Sequence, residues 1–296
     1  MGPICPICKQ SESIIIQESV FSIYSEISYK LVRCRNCSHL FTSGYKNINV
    51  LNEIYKSSYN YRAHLTIENE KKWRSKKYLK KIQNFIPKDM TIIDIGCMYG
   101  FSLEVFRRFG YSNLIGIEIE ALAVKKCREK GFNVFQGIFS EWVKSSQMNL
   151  KIVPTCLYLS HVVEHIYNIN HFFKELKGIL SPDSYLVIMV PHSKARTIRL
   201  FKKYWGWWQV PIHVHHFTKG SLLYLLSAYG YNIEKTFRRG GDSLFWLSSL
   251  ASLLGIKSKS QNISFLQKLC IKGVSFILRY WFFIGDEELI VVAKKK

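Results

Sequence analysis

Two glycines and two carboxylates in the middle of the chain have the spacing of a nucleotide-cofactor site. Asp94 lies at the end of a β-branched run, Gly96 and Gly100 follow it, and Glu118 ends the next apolar run. Glycines let a strand turn tightly into a helix, so that the backbone can approach a cofactor closely. An acidic residue at the end of the second strand can accept hydrogen bonds from both ribose hydroxyls. The pattern therefore predicts a site for a ribose-containing cofactor.

Four cysteines near the N-terminus have the spacing of a zinc site. Cys5 and Cys8 form one C-x2-C pair, and Cys34 and Cys37 form a second. Two such pairs offer four thiolates at tetrahedral spacing, and a module this short needs a metal to supply its folding free energy. We therefore expect a small ribbon that holds a structural Zn²⁺. The other four cysteines of the chain lie at apolar positions and are predicted to be reduced core residues.

A histidine-rich segment follows the fourth apolar run. His161, Glu164 and His165 match the H-x-x-E-H pattern of inverted zinc proteases. That chemistry requires both histidines on one face of a helix, whereas these residues directly follow a predicted strand. A protease is therefore not expected.

A second segment, residues 205–217, is dense in indole and imidazole side chains. Aromatic faces can stack on a sugar ring or a base, and a neutral imidazole can accept a proton from a hydroxyl. The alternative is a structural histidine packed beneath the next helix, which Thr218 would cap. For His213 we expect this structural role.

Alternating strands and helices must position these groups. Apolar runs at 91–95, 114–117, 132–136, 152–160 and 185–190 are predicted to be strands with helical patterns between them. This alternation is typical of a doubly wound, Rossmann-like α/β sheet. We expect a zinc ribbon at 1–48, a helical bridge at 49–90, and an α/β domain at 91–296 with an apolar helical insertion at about 244–284.

Taken in order, the motifs resemble those of class I S-adenosylmethionine-dependent methyltransferases. The matching residues are Asp94-x-Gly96-Cys97-x-x-Gly100, Gly116-Ile117-Glu118, Ser160-His161-Val162-Val163-Glu164-His165, Ile179-Leu180-Ser181-Pro182 and Val190-Pro191. The Glu-His pair is similar to that of the quinone-ring and sugar methyltransferases, and residues 285–293 resemble the last strand of that branch. The resemblance implies a seven-stranded sheet and S-adenosyl-L-methionine as the cofactor.

The resemblance also implies roles for individual residues. The cofactor-binding residues would be Asp94, Gly96, Cys97, Gly100, Glu118, Ile119, Ile138, Phe139 and Ser160. The residues facing the methyl acceptor would be His161, Glu164, His165, His215 and His216, with His216 the candidate general base. Some quinone-ring members bind a divalent cation through an E-x-x-E-H segment. Because His161 replaces the first carboxylate, we expect no hard-cation site here.

Two positions depart from the family pattern. Met98 stands where the family usually has a middle glycine, and Ile138 stands where an acidic residue often holds the adenine amino group. The first departure would narrow the loop. For the second, we expect Ile138 and Phe139 to hold the adenine by apolar packing.

Composition limits the partners and the compartment. The net charge is +21, with 42 Lys and Arg against 21 Asp and Glu, which favours nucleic acid, an anionic membrane surface or phosphorylated substrates. An AT-rich genome that uses lysine freely would produce the same excess. The first residues do not resemble a signal peptide. We expect a cytoplasmic protein, with peripheral contact to the inner membrane face as a further option.

A zinc ribbon ahead of the α/β domain resembles the layout of deoxysugar and polysaccharide-locus methyltransferases. This resemblance implies a sugar acceptor that carries a nucleotide or a lipid diphosphate. Five cations could meet those phosphates or simply face solvent: Lys194, Arg196, Arg199, Lys202 and Lys203.

Two other classes of function stay open. Zinc and positive charge suggest an RNA or DNA methyltransferase, but the fourth strand lacks the Asn/Asp-Pro-Pro-aromatic tetrad that grips a flipped base. Met98 and Ile138 are the support for a non-catalytic protein with the same fold.

Residues 263–284 are nearly all apolar or aromatic, with a narrow polar stripe. The stripe consists of Lys268, Lys272, Ser275 and Arg279. Three cations argue against a membrane-spanning helix. We expect either a helix packed on the sheet or one lying in the membrane interface.

Overall fold

The computed structural model describes residues 2–20, 29–44, 68–146, 149–241, 243–253, 273 and 285–296. These residues form one sheet of seven strands and one of four. The larger sheet is flanked by helices, which confirms the predicted doubly wound α/β fold.

The strands of the smaller sheet are β1 (Ser13–Val20), β2 (Tyr29–Cys34), β3 (Leu40–Ser43) and β9 (His215–His216). The strands of the larger sheet are β4 (Thr91–Ile95), β5 (Leu114–Glu118), β6 (Asn133–Gln136), β7 (Thr155–Ser160), β8 (Tyr185–Pro191), β10 (Tyr231–Arg239) and β11 (Glu288–Lys295). The order in the larger sheet is β10-β11-β8-β7-β4-β5-β6, and β11 runs antiparallel to both neighbours. The connections reverse direction beside β4, and ligands of open α/β sheets bind at the carboxyl ends of strands at such a point.

The helices of the described residues are α1 (Glu68–Ile82), α2 (Phe101–Arg108), α3 (Ala121–Glu129), α4 (Phe139–Ser145), α5 (Ile169–Ile179), α6 (Thr197–Phe201), α7 (Lys219–Ala228) and α8 (Ser243–Leu253). Helix α2 begins directly after Gly100 and buries Phe101, Leu103 and Phe106. Short 3₁₀ turns occur at Val163–His165 and Lys202–Tyr204. The side chain of Thr218 accepts a hydrogen bond from the Ser221 N–H, which confirms the predicted cap of α7.

The ribbon is joined to the α/β domain by backbone pairing and by a shared core. Strand β3 pairs with β9, with Leu40 opposite His216 and Phe41 opposite His215. Ile7 and Phe41 belong to the same buried cluster as residues of β4, α5 and α7. The ribbon is therefore packed against the part of the sheet that holds the predicted site.

Part of the predicted organisation falls outside the described residues. Of the helical bridge at 49–90, the structure describes residues 68–90, which include α1. Helix α8 lies at the start of the predicted apolar insertion, and the striped segment 263–284 lies outside the described residues apart from position 273. Among the helices that are described, none has the length and apolar character needed to cross a bilayer.

Candidate active site

At two positions of the loop between β4 and α2, the backbone has a conformation that only glycine adopts without cost. Gly96 has φ +72° and Gly100 has φ +73°. A Cβ atom on Gly96 would lie 3.0 Å from the Cγ2 atom of Val162, just beyond the end of β7. The loop is therefore in close contact with the strand end that carries the predicted acceptor-facing residues.

Met98, which lies between the two glycines, also has a left-handed backbone conformation. Its φ is +47°, a value that costs roughly 1–2 kcal/mol for an L side chain. This explains why a glycine suits the position. The Met98 N–H donates a 2.9 Å hydrogen bond to Oε2 of Glu118, which ties the loop to the end of β5.

Glu118 lies buried at the end of β5 and is held by backbone donors. Its Oε1 accepts from the N–H groups of Ile119 at 2.7 Å and Glu120 at 2.9 Å. Burial raises the pKa of the Glu118 carboxyl, and the three N–H groups act in the opposite direction. A fixed carboxylate beside a glycine loop can receive the two hydroxyls of a ribose.

Two exposed isoleucines follow the ends of the adjacent strands β5 and β6. Ile119 is 47% exposed and Ile138 is 51% exposed, although both are large apolar side chains. The Gly137 N–H donates to the backbone oxygen of Glu118, so the segment of Ile138 begins beside the carboxylate. Phe139 is buried and stacks on Trp142. Of these groups, the two isoleucines offer exposed apolar surface beside Glu118, whereas Phe139 does not.

The remaining predicted cofactor residues lie on the same strand ends. Asp94 is buried in β4, and burial raises the pKa of its carboxyl well above the usual range. Cys97 is also buried, and its Sγ lies 2.7 Å from where a Cβ of Gly116 would be. Because the Cys97 side chain is packed against Gly116, the part of Cys97 that can contribute to a cofactor site is its backbone. Ser160 is the last residue of β7 and is half-buried.

His161 is held between two buried carboxylates. Its Nδ1 lies 3.1 Å from Oε1 of Glu164, and its Nε2 lies 3.2 Å from Oε1 of Glu288. Arg239 forms an ion pair with the other oxygen of Glu288. The backbone of His161 has φ +57°, a strained value that is common at functional sites.

The five predicted acceptor-facing residues lie in two different places. The His161 side chain is 29% exposed and its ring packs on Trp207. Glu164 is fully buried, whereas His165 is half-buried. His215 and His216 are both buried in the interior. The structure thus brings His161, Glu164 and His165 together at the end of β7 and places the other two on the ribbon side.

His215 has partners at both ring nitrogens. Nδ1 lies 3.0 Å from Nε2 of His39, and Nε2 lies 2.9 Å from the backbone oxygen of Ile166. The carbonyl accepts, so Nε2 of His215 donates and Nδ1 accepts from His39 in the neutral tautomers. Burial lowers the pKa of His215 to about 4. This arrangement favours a structural role for His215 over the predicted catalytic one.

His216 is bonded to the ribbon. Its Nε2 lies 2.8 Å from the hydroxyl of Thr42, which itself donates to the backbone oxygen of His213. The imidazole must therefore donate to Thr42. Burial, followed by the nearby His215, lowers the pKa of His216 to about 3. The His216 imidazole is therefore a weak base. Its contact with Thr42 favours a structural role, as for His215.

The four N-terminal cysteines converge as predicted. Sγ of Cys5 lies 3.6 Å from that of Cys37, Sγ of Cys8 lies 3.4 Å from that of Cys34, and all four lie within 4.8 Å of one another. These distances are too long for disulfides, whereas a tetrahedral site with bonds of about 2.3 Å places sulfurs about 3.8 Å apart. The hydrogen bond with Cys37 lowers the pKa of the Cys5 thiol to about 5, and the same contact raises the pKa of Cys37. The four thiols therefore suit a zinc ion.

Several site residues were not predicted from the sequence. Glu288 and Arg239 complete the surroundings of His161, and His39 and Thr42 bond the two histidines of β9. The adjacent acidic residues Glu287 and Glu288 at the start of an apolar strand were a usable signal, because buried carboxylates need a reason to be there. Nothing in the local sequence indicates the partners of His39 or Thr42.

Comparison with known proteins agrees with this geometry. Residues 71–236 match the family model described as a methyltransferase domain. The fold is similar to a SAM-dependent methyltransferase of Archaeoglobus fulgidus, with 23% identity, a TM-score of 0.51 and coverage of 76% of this chain and 94% of that one. It is also similar to a SAM-dependent methyltransferase of Thermotoga maritima, with 12% identity, a TM-score of 0.52 and coverage of 83% and 99%.

Among curated proteins, none matches this chain significantly. The family model covers more than half of the chain and includes the glycine loop, Glu118 and the end of β7. The chain therefore belongs to the methyltransferase-domain family, and the protein is a methyltransferase.

Proposed function

We propose that the protein transfers a methyl group from S-adenosyl-L-methionine to a hydroxyl or carbon of a sugar that carries phosphate groups. The assignment of the cofactor rests on the buried carboxylate of Glu118, which three N–H groups fix beside Gly96–Gly100. The exposed Ile119 and Ile138 supply apolar surface for the adenine. The names of the two similar solved structures are consistent with this cofactor.

His161 is the side chain best placed to act on the acceptor. It is partly exposed, it follows the strand end that abuts the cofactor loop, and carboxylates orient both of its ring nitrogens. Methyl transfer from a sulfonium depends mainly on alignment of the reacting atoms, with a base when the acceptor is a hydroxyl. We assign that base to His161 in place of His216: Glu164 would keep its contact with Nδ1, and Nε2 would exchange its contact with Glu288 for the acceptor hydroxyl.

The proposal of a phosphate-bearing sugar rests on the segment after β8. Lys194, Arg196, Arg199, Lys202 and Lys203 are all exposed. Strand β8 lies beside β7 and both run in the same direction, so this cationic segment begins at the edge that carries His161. Trp207 packs edge-on against the His161 ring and is itself buried, so its part would be to hold that ring in place.

We further propose that the four N-terminal cysteines hold a structural Zn²⁺. Its contribution would be to fix the ribbon, which in turn pairs with β9 and packs on α5. The amide of Asn170 in α5 donates to the backbone oxygen of Pro6, inside the first cysteine pair.

The proposal is tested by two measurements on the full chain. Calorimetry should show one S-adenosyl-L-methionine site, and a panel of nucleotide sugars, lipid diphosphate sugars and RNA should be assayed for S-adenosylhomocysteine release. Turnover with a sugar supports the proposal. Turnover with RNA alone would assign the nucleic-acid alternative, and absence of cofactor binding would leave the non-catalytic alternative.

A further inference from the structure

We infer that Glu164, His165 and His213 form a second metal site, for a divalent transition-metal ion, beside the end of β7. One ligand atom from each residue lies within 4.8 Å of the other two. Ligand atoms around an ion with bonds of roughly 2.1 Å lie about 3–3.5 Å apart, so small side-chain rotations would close the site. Of the described residues, only these three and the four cysteines form such a group.

An unpartnered buried oxygen points to a missing ligand. Glu164 is fully buried, and its Oε2 has no hydrogen-bond partner among the described residues. A buried carboxylate oxygen that lacks a partner is costly, and a bound cation would remove that cost. The other oxygen, Oε1, faces Nδ1 of His161 at 3.1 Å. One oxygen is thus oriented by a neighbour, which leaves the other for an ion.

Both imidazoles are oriented as metal ligands usually are. Nδ1 of His165 donates to the backbone oxygen of Ile212 at 3.1 Å, and Nδ1 of His213 donates to that of Trp207 at 2.9 Å. A carbonyl can only accept, so in each neutral imidazole the lone pair is on Nε2. A carbonyl bonded to the second ring nitrogen is the common outer-shell arrangement of histidine ligands.

The two segments that supply the ligands are fastened to each other. The Val214 N–H donates to the backbone oxygen of Glu164, and His215 donates to that of Ile166. Together with the contact between His165 and Ile212, these bonds hold residues 212–215 against the turn that follows β7. The ligands are therefore positioned before an ion arrives.

The donor set selects the class of ion. Two imidazoles and one carboxylate suit Zn²⁺, Mn²⁺, Fe²⁺, Co²⁺ or Ni²⁺ rather than the oxygen-seeking Mg²⁺ or Ca²⁺. The inferred ion therefore differs in class from a hard cation, and the site would give His213 a role beyond packing. Three protein ligands leave coordination positions for water or for an oxygen of the acceptor.

Co²⁺ is the probe, added to the full chain after the ribbon has been loaded with one equivalent of Zn²⁺ per chain and unbound Zn²⁺ has been removed. We expect one further Co²⁺ per chain, detected by visible d–d absorption without the near-ultraviolet thiolate band that Co²⁺ in the ribbon would produce. Glu164→Gln and His213→Ala should each weaken binding by more than about 100-fold, since loss of outer-shell partners alone costs 10–100-fold. His171→Ala removes an exposed histidine of α5 as the matched control and should bind Co²⁺ like the wild type.

Circular dichroism and ribbon zinc content show whether each variant is folded, and Glu164→Gln keeps the shape of the side chain if His213→Ala does not fold. The inference is overturned if folded wild-type protein takes up no Co²⁺ beyond the zinc at millimolar concentration. It is also overturned if uptake is unchanged in a folded Glu164→Gln variant. Because neither S-adenosyl-L-methionine nor an acceptor is present, the result is independent of the proposed methyl transfer.

Discussion

Nε2 of His161 lies 3.2 Å from Oε1 of Glu288, although 127 residues separate them in the chain. His161 follows the end of β7 and Glu288 begins β11, so the contact crosses the end of β8, which lies between those strands. Arg239, on β10, pairs with the same glutamate. The last strands of the sheet therefore help to fix the His161 ring at the candidate site, and β11 has a part in that site as well as in the core.

Replacing His161 should test the proposed base. We expect His161→Asn to lower turnover by about 10²–10⁴-fold while the Kd for S-adenosyl-L-methionine changes little, since the ring faces the acceptor side. Steady-state kinetics and calorimetry on the same preparation measure both quantities. His171→Asn, on the exposed face of α5, is the matched control. Normal turnover in folded His161→Asn would contradict the assignment.

Removing the charge of Glu118 should selectively weaken the binding of the cofactor. Glu118→Gln keeps the size of the side chain, but its amide nitrogen cannot accept the N–H groups or a ribose hydroxyl. We expect a loss of roughly 1.5–3 kcal/mol in cofactor binding, which is about 10- to 150-fold in Kd. Glu129→Gln, at the exposed end of α3, is the control. Unchanged calorimetric affinity in the Glu118 variant would argue against the cofactor site.

Two glycines allow the loop contact to be separated from simple backbone strain. Gly96 and Gly131 have nearly equal φ values, +72° and +74°, but only Gly96 has a neighbour where a Cβ would go. Both alanine variants should lose about 1–2 kcal/mol of stability from the left-handed backbone. We expect Gly96→Ala alone to weaken cofactor binding, because its Cβ pushes against Val162. Equal affinity in the two variants would mean that the loop tolerates the shift.

The ribbon should lose one equivalent of zinc when its ligands are changed. We expect the Cys5→Ser/Cys34→Ser pair to contain one zinc fewer per chain than the wild type. Because β3 pairs with β9 and the ribbon shares a core with α5, the loss should lower the free energy of unfolding of the whole chain by at least about 2 kcal/mol. Metal analysis and urea denaturation measure the two effects. A zinc content equal to that of wild type would remove the ribbon assignment.

The parts of this structure that sequence reasoning predicted are local. The turn at Gly96–Gly100 and the carboxylate at Glu118 follow from strand ends and glycine spacing within one strand–helix–strand unit. The surroundings of His215 and His216 depend on the pairing of β9 with β3, and no local pattern specifies a partner more than 170 residues away. The same holds for Glu288 and His161, whose contact depends on the order of strands in the finished sheet.

The last prediction concerns the folding stability of the protein at acidic pH. His216 has a folded pKa of about 3, lowered by burial and by His215, against roughly 6.5 in the unfolded chain. The unfolded chain therefore takes up a proton first as the pH falls. The stability that depends on neutral His216 is complete above about pH 6.5 and declines as the pH falls from there toward 3. Each pH unit in that window costs about 1.4 kcal/mol for one such histidine.

Between pH 7.5 and pH 5, His216 alone should therefore cost about 2 kcal/mol. Urea denaturation at the two values measures the difference. In His216→Gln the amide can still donate to Thr42 but no longer titrates, so this variant should be less sensitive to pH by about that amount. His171→Gln controls for the loss of a histidine as such. If His216→Gln keeps the full acid sensitivity of the wild type, the buried histidine is not the source of it.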